Sequence, residues 1–246
     1  MADAAPVVRP GRRILLKVSG EGFARRGETG LDVERVEELA AQLRVLHGEG
    51  VQVACVIGGG NILRGASAES LGIVRATADY MGMLATVING LALSDSLERF
   101  GVGTRVMSAL DVHKVCEPFI RRRALRHMEK GRVVVLVGGL GSPFFTTDTA
   151  AAQRAIELGC DALLKATMVD GVYDKDPKKH ADAVLLPELS YQEVMDRRLK
   201  VMDQTAFALC REHDVPLVVF DMNAPNGLLR AARGEKIGTV VRNAPE

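Results

Sequence analysis

The stretch RVVVLVGGLGSPFFTTDTAAA, residues 132–152, constrains the fold more than any other part of the chain. Val133 to Val137 is an unbroken run of β-branched residues and leucine, the pattern of a strand buried on both faces of a parallel sheet. Gly138, Gly139 and Gly141 follow, and they let the backbone turn and approach a ligand without Cβ interference. Thr146, Thr147 and Asp148 then precede the alanine-rich run from Ala150 to Leu158, where a side-chain oxygen can cap a new helix. A helix N-terminus entered from a glycine loop is an anion site. An ordinary strand-to-helix turn, with glycines for sterics alone, carries the same signature.

The motif has a counterpart upstream. Ile14 to Val18 reads as a strand with Lys17 near its end and Ser19 and Gly20 after it, which puts a cation at the sheet edge where open α/β sheets bind ligands. A snorkelling strand-end charge is the equal alternative. Asp32 is a credible N-cap for a helix with Val33, Val36, Leu39, Leu43 and Leu46 on one face, stopping at Gly48 and Gly50. Val51 to Ile57 reads as the next strand and runs into Gly58, Gly59, Gly60, Asn61 and Arg64. Consecutive glycines expose several N–H groups, and an arginine beside them can bind phosphate bidentately. The dinucleotide fingerprint competes poorly, because Leu63 stands where it needs a glycine and no strand precedes Asp79 to carry that acid to a ribose.

Further along, Val74 to Leu97 is helical and apolar around much of its circumference, through Met81, Met83, Leu84, Val87, Ile88, Leu91 and Leu93. Either a subunit interface or another layer of the same chain would cover it. Thr104 to Ser108 reads as a strand and Glu117 to Lys130 as a helix whose basic run, Arg121 to Arg126, is better taken as a solvated face than as a nucleic-acid site. Ala162 to Lys165 is a strand ending in a second lysine, and Val169 to Pro177 reads as a shaped loop rather than a strand pair. Met202 to His213 is a helix, Pro216 to Phe220 a strand, Asn226 to Arg233 a helix and Gly238 to Val241 a closing strand. The alternation predicts an α/β protein, a three-layer αβα sandwich with a mainly parallel central sheet.

With 246 residues and 47% hydrophobic content the chain can bury one substantial core; residues 1–11 read as a flexible N-terminus and 12–246 as a single domain. Lys plus Arg, 32, nearly cancel Asp plus Glu, 31, so no surface-wide field recruits nucleic acid or an anionic membrane. Cys55, Cys116, Cys160 and Cys210 form no CxxC pair, and the five histidines form no spaced cluster, so neither a disulfide framework nor a metal centre is suggested. No apolar run approaches the ~20 residues of a membrane span, and a cytoplasmic protein is expected.

Two glycine loops, two strand-end lysines, an arginine beside a glycine run and Asp148 at a helix start suit phosphoryl transfer. That reaction depends on holding donor and acceptor in line while cations and N–H dipoles absorb charge on the equatorial oxygens. Neither a GxSxG elbow nor a GxxxxGK[ST] loop occurs, so a hydrolase of that type and a P-loop kinase are excluded.

With these residues in view, the sequence resembles the bacterial uridylate (UMP) kinase family, a branch of the amino acid kinase fold, from about Arg12 to Arg242. The resemblance is carried by ILLKVSGE, VIGGGNILRG, ADYMGMLATVINGLAL, SPFFTTDTAA, LLKATMVDGVYDKDP and LKVMDQTAFALC. It implies transfer of the γ-phosphoryl of MgATP to UMP, giving UDP, in pyrimidine nucleotide biosynthesis. By position it assigns ATP binding to Lys17, Val18, Ser19, Gly20, Gly60, Arg64, Thr167, Tyr173 and Asp176. UMP binding falls to Gly59, Asp79 and the loop Leu140, Gly141, Ser142, Pro143, Phe144, Phe145, Thr146 and Thr147. Lys17 and Lys165 take the migrating charge, Asp148 orients them, and Mg2+ comes with ATP rather than on a dedicated protein ligand. A homohexamer activated by GTP and inhibited by UTP is also implied. Leu140 and Ser142 replace the family's usual Thr and Asn, and Ser94 and Glu98 stand where some members carry basic residues of the GTP response.

Kinases of acetylglutamate, aspartate or carbamate share the lysine and glycine-loop logic, but Arg64 and SPFFTTD favour a nucleotide acceptor. A related storage protein binding ATP and an oxometalate without turnover, or a nucleotide-sensing regulator, are the non-enzymatic readings; the intact set of Lys17, Lys165 and Asp148 favours turnover.

Overall fold

The structure is a computed structural model that describes residues 11–25, 27–63, 72–177 and 179–244. The strands are β1 (Arg13–Val18), β2 (Gln52–Ile57), β3 (Thr104–Ser108), β4 (Glu117–Pro118), β5 (Val133–Val137), β6 (Ala162–Thr167), β7 (Val172–Tyr173), β8 (Leu185–Leu186), β9 (Glu188–Ser190), β10 (Leu217–Asp221) and β11 (Thr239–Arg242). The helices are α1 (Val33–Gly48), α2 (Arg75–Arg99), α3 (Arg121–Glu129), α4 (Thr147–Leu158), α5 (Tyr191–Asp196), α6 (Gln204–Glu212) and α7 (Gly227–Ala232).

Nine strands form one sheet in the order β4-β3-β5-β2-β1-β6-β10-β11-β9. All its pairings are parallel except β10 with β11. Alternation along the strands divides the core in two. Ile14, Leu16, Val18, Val133, Val135 and Val137 face α1, α2 and α7. Leu15, Val134 and Leu136 face α3, α4, α5 and α6. The expected three-layer sandwich therefore forms for the reason its sequence suggests: strands apolar at every position need a helical layer on each side.

The neighbouring strands β2 and β5 send their glycine loops toward opposite layers, β2 to α2 and β5 to α4. A crevice at the carboxyl edge follows from that divergence, the usual ligand position in an open parallel sheet.

Several local expectations are corrected. Glu117 and Pro118 pair with β3 as an edge strand, where proline's missing N–H is tolerated, so the helix starts only at Arg121. The 169–177 segment is not wholly a loop, since Val172 and Tyr173 pair with Leu186 and Leu185, partners too distant in sequence for a local signal. Helix α5 was not anticipated, although its capping box of Ser190 and Glu193 is written in the sequence. Val33 opens α1 on the solvent side, 62% exposed, while Val36, Leu39, Leu43 and Leu46 are buried as expected. On α2, Met83, Val87 and Leu93 are buried, whereas Tyr80, Met81, Leu84, Ile88 and Leu91 are 36–48% exposed, so among the described residues no other layer covers that face. Arg121 to Arg123 are exposed on α3. The four cysteines are free and buried. The N-terminal residues 1–10 lie outside the described residues.

Candidate active site

Lys17 and Lys165 face each other in the register of β1 and β6, and both are near the strands' carboxyl ends. Helix α4 brings Asp148 between them: its carboxylate lies 2.9 Å from Lys17 Nζ and accepts a 2.6 Å hydrogen bond from Lys165 Nζ. The Lys17 contact is a close ion pair to the other carboxylate oxygen. Lys165 Nζ also donates to the Val201 carbonyl at 2.7 Å. Burial pushes the Asp148 carboxyl upward, yet the two ammonium groups outweigh it and hold the acid below its ordinary range. Burial lowers Lys165, with Asp148 opposing and Lys17 adding to the fall. Asp203, at the start of α6, adds a second, weaker carboxylate influence on Lys165.

Ser19 and Gly20 meet the triple glycine directly. A Cβ on Gly20 would fall 2.2 Å from Gly60 N, and one on Gly58 would fall 2.6 Å from Gly20 N, so the two turns form one cradle that only glycine permits. Gly60 differs, because a Cβ there would meet nothing within 4 Å. Among the described residues nothing in the packing demands a glycine there, which suits a site where a ligand approaches the backbone. The Ser19 hydroxyl is buried without a partner among the described residues, a spare polar group of the kind a bound phosphate satisfies.

The second loop runs from Gly138 to Thr146. Phe144 takes a left-handed backbone, φ 72°, and its N–H donates to Asp79 Oδ2 at 2.8 Å. Asp79, on α2, is also paired with Arg75 at 2.9 Å. Phe144 and Phe145 are 70% and 51% exposed, while Leu140 packs against the core beneath α4. Thr146 caps α4 by accepting from Asp148 N and Thr149 N, at 3.0 and 3.4 Å. Asp203 then receives the hydroxyls of Thr146 and Thr149 on one oxygen, at 2.5 and 2.9 Å, and caps α6 through Ala206 N with the other.

The Amino acid kinase family matches residues 12–221 of the chain. The uridylate kinase of Paramagnetospirillum magneticum is 56% identical over 232 residues, 94% of this chain and 97% of that one. Among solved structures, UMP kinase from Bacillus anthracis superposes with a TM-score of 0.91 at 40% identity, covering 96% of this chain and 98% of that one. UMP kinase from Ureaplasma parvum gives 0.91 at 37% identity, covering 96% and 100%. The chain belongs to the UMP kinases of the amino acid kinase family.

Within that UMP kinase frame, most of the residues singled out from sequence come together. Lys17, Asp148 and Lys165 form one cluster, Gly20 packs against Gly58 and Gly60, Gly59 packs on α2, and Asp79 joins the 140–147 loop through Phe144. Thr167 ends β6 two residues past Lys165, and its hydroxyl bonds the Val169 carbonyl at 2.7 Å. Tyr173 donates to Asp170 at 2.7 Å, and Asp176 is 4.0 Å from Lys179. Arg64 lies outside the described residues. Asp203 was missed: an aspartate before a helix reads as a cap, and its second set of partners becomes visible only in three dimensions. Beyond Val201 and Asp203 a cleft of about 820 Å³ opens along α5 and α6.

Proposed function

We infer that this chain transfers the γ-phosphoryl group of MgATP to UMP, forming UDP for pyrimidine nucleotide synthesis. The observation that carries the reading is the Lys17–Asp148–Lys165 cluster, at the carboxyl ends of β1 and β6 and the start of α4, next to the cradle that Gly20 forms with Gly58 and Gly60. The cradle of Ser19, Gly20 and Gly60, together with Val18 and, from the sequence motif alone, Arg64, is assigned to the ATP phosphates. Thr167, Tyr173 and Asp176 are assigned to the ATP nucleoside. Gly59, Asp79 and residues 140–147 are assigned to UMP.

In this arrangement the lysines meet charge spread over the transferred group, while backbone N–H groups and the α4 N-terminus hold the flanking phosphates in line. No general base is required, because the acceptor phosphate is already anionic at neutral pH. Mg2+ enters with ATP and neutralises its phosphates.

The exposed apolar stripe of α2 supports association with further copies of the chain, and a homohexamer with GTP activation and UTP inhibition completes the proposal. Among the described residues no helix is long and apolar enough to cross a membrane; a cytoplasmic location is part of the same reading.

Incubation with MgATP and each nucleoside monophosphate, followed by ADP release, tests the assignment. UMP-dependent ADP formation is expected. Tight ATP binding without turnover on any nucleoside monophosphate would make the chain a binder.

A further inference from the structure

Helix α2 carries three buried polar side chains, Thr86, Asn89 and Ser96, and the first two lie where the helix meets the glycine loops. Neither is needed to cap or continue the helix, and each reaches a different glycine loop. Thr86 Oγ1 donates to its own helix at the Met83 carbonyl, 2.6 Å, and accepts from Gly138 N at 2.7 Å. The internal bond fixes the hydroxyl proton and so leaves its lone pairs for Gly138. Asn89 Nδ2 donates to the Gly58 carbonyl and to Asn61 Oδ1, both at 2.7 Å. Asn61 Nδ2 returns a 3.1 Å bond to Asn89 Oδ1.

Residues three apart on a helix have Cβ atoms ~5–6 Å apart, close to the ~4.8 Å between neighbouring strands. Gly58 follows β2 and Gly138 follows β5, and these strands are neighbours. One rigid turn of α2 therefore spans the roots of both loops. The helix also lies against the cradle itself, since a Cβ on Gly59 would meet the Gly82 carbonyl at 2.6 Å.

We propose that Thr86 and Asn89 are positioning residues that fix the spacing between the loop rooted at Gly58 and the loop rooted at Gly138. The inference rests on the assignment of the first loop to both nucleotides and of the second to UMP. Thr86 acts on the acceptor alone, through Gly138; Asn89 acts on both substrates, because its loop carries Gly59 and Gly60.

The test is steady-state kinetics with each substrate varied, alongside thermal melting. Thr86→Val keeps the shape and removes the bond, and is expected to raise KM for UMP about tenfold while KM for ATP stays within about twofold. Thr86→Ser restores the hydroxyl and is expected to restore KM. Asn89→Leu is expected to raise both KM values about tenfold. If Asn89→Leu does not fold, the Thr86 pair decides. Lowered melting temperatures with unchanged KM values would overturn the proposal, as would a Thr86→Ser that fails to rescue. Gly60→Ala and Asp79→Asn serve as site controls: if these leave both KM values unchanged, the loop assignment has failed. If they shift KM while Thr86→Val and Asn89→Leu do not, the positioning inference alone has failed.

Discussion

Lys17 and Lys165 stand opposite each other on adjacent parallel strands, and the carboxylate of Asp148 touches both, 2.9 Å from the first ammonium and 2.6 Å from the second. Like charges brought this close repel, so the carboxylate is what makes the pair tolerable without a substrate. Under the proposed function the incoming phosphoryl group brings the further negative charge that both ammonium groups then meet.

Removing Lys17 tests this most directly. Lys17→Ala leaves the Asp148–Lys165 hydrogen bond in place, so the melting temperature should stay near that of the parent. Turnover should fall by about 10²–10³, the range for losing one preorganised donor to a developing charge. Near-normal kcat would remove Lys17 from the chemistry.

Asp148 makes a prediction about acid stability. Its folded pKa is held below the ordinary value of 3.8, so as pH falls the unfolded chain takes up the proton first. The stabilisation is complete above 3.8 and is lost as pH drops through the lower folded value. Urea unfolding across acid pH should show wild type losing stability more steeply below 3.8 than Asp148→Asn does. At neutral pH Asp148→Asn should cost about 3–5 kcal/mol, because two buried ammonium groups lose their counter-charge. Parallel pH profiles would refute the shift.

Gly60→Ala and Gly20→Ala should separate ligand space from chain packing. The alanine at 60 meets nothing within 4 Å, whereas at 20 it would strike the Gly60 backbone at 2.2 Å. Gly60→Ala is therefore expected to melt like the parent but bind ATP weakly in calorimetry, and Gly20→Ala to lose stability outright. Unaltered ATP affinity in Gly60→Ala would take residue 60 away from the phosphates.

The layers and most elements were legible in the sequence, because strands such as Val133–Val137 are apolar at every position and helix starts such as Asp32 and Thr146 carry their own caps. What escaped depends on partners far away in the chain. The Val172–Tyr173 strand exists because Leu185 and Leu186 pair with it, and Glu117–Pro118 because β3 offers an edge. In the site, Lys17, Asp148 and Lys165 stand at recognisable positions of strand end and helix start. Asp203, Thr86 and Asn89 look like a cap and ordinary helix polar residues until the loops they hold are in place.

Asp203 offers the last test, since its two oxygens serve different elements. One caps α6 through Ala206 N at 2.9 Å, and the other receives Thr146 and Thr149 from the start of α4. Asp203→Ala should lose the cap, ~1 kcal/mol, and also free the end of the 140–147 loop, which we propose holds the acceptor. Because asparagine caps helices as well as aspartate does, Asp203→Asn should recover most of the melting temperature. It presents one oxygen instead of two, so Thr146 and Thr149 lose their shared anionic acceptor. KM for UMP should remain raised about fivefold in both variants, the equivalent of ~1 kcal/mol for one hydrogen bond. Recovery of KM together with stability in Asp203→Asn would show that the cap alone matters and that the contact with Thr146 does not shape the acceptor loop.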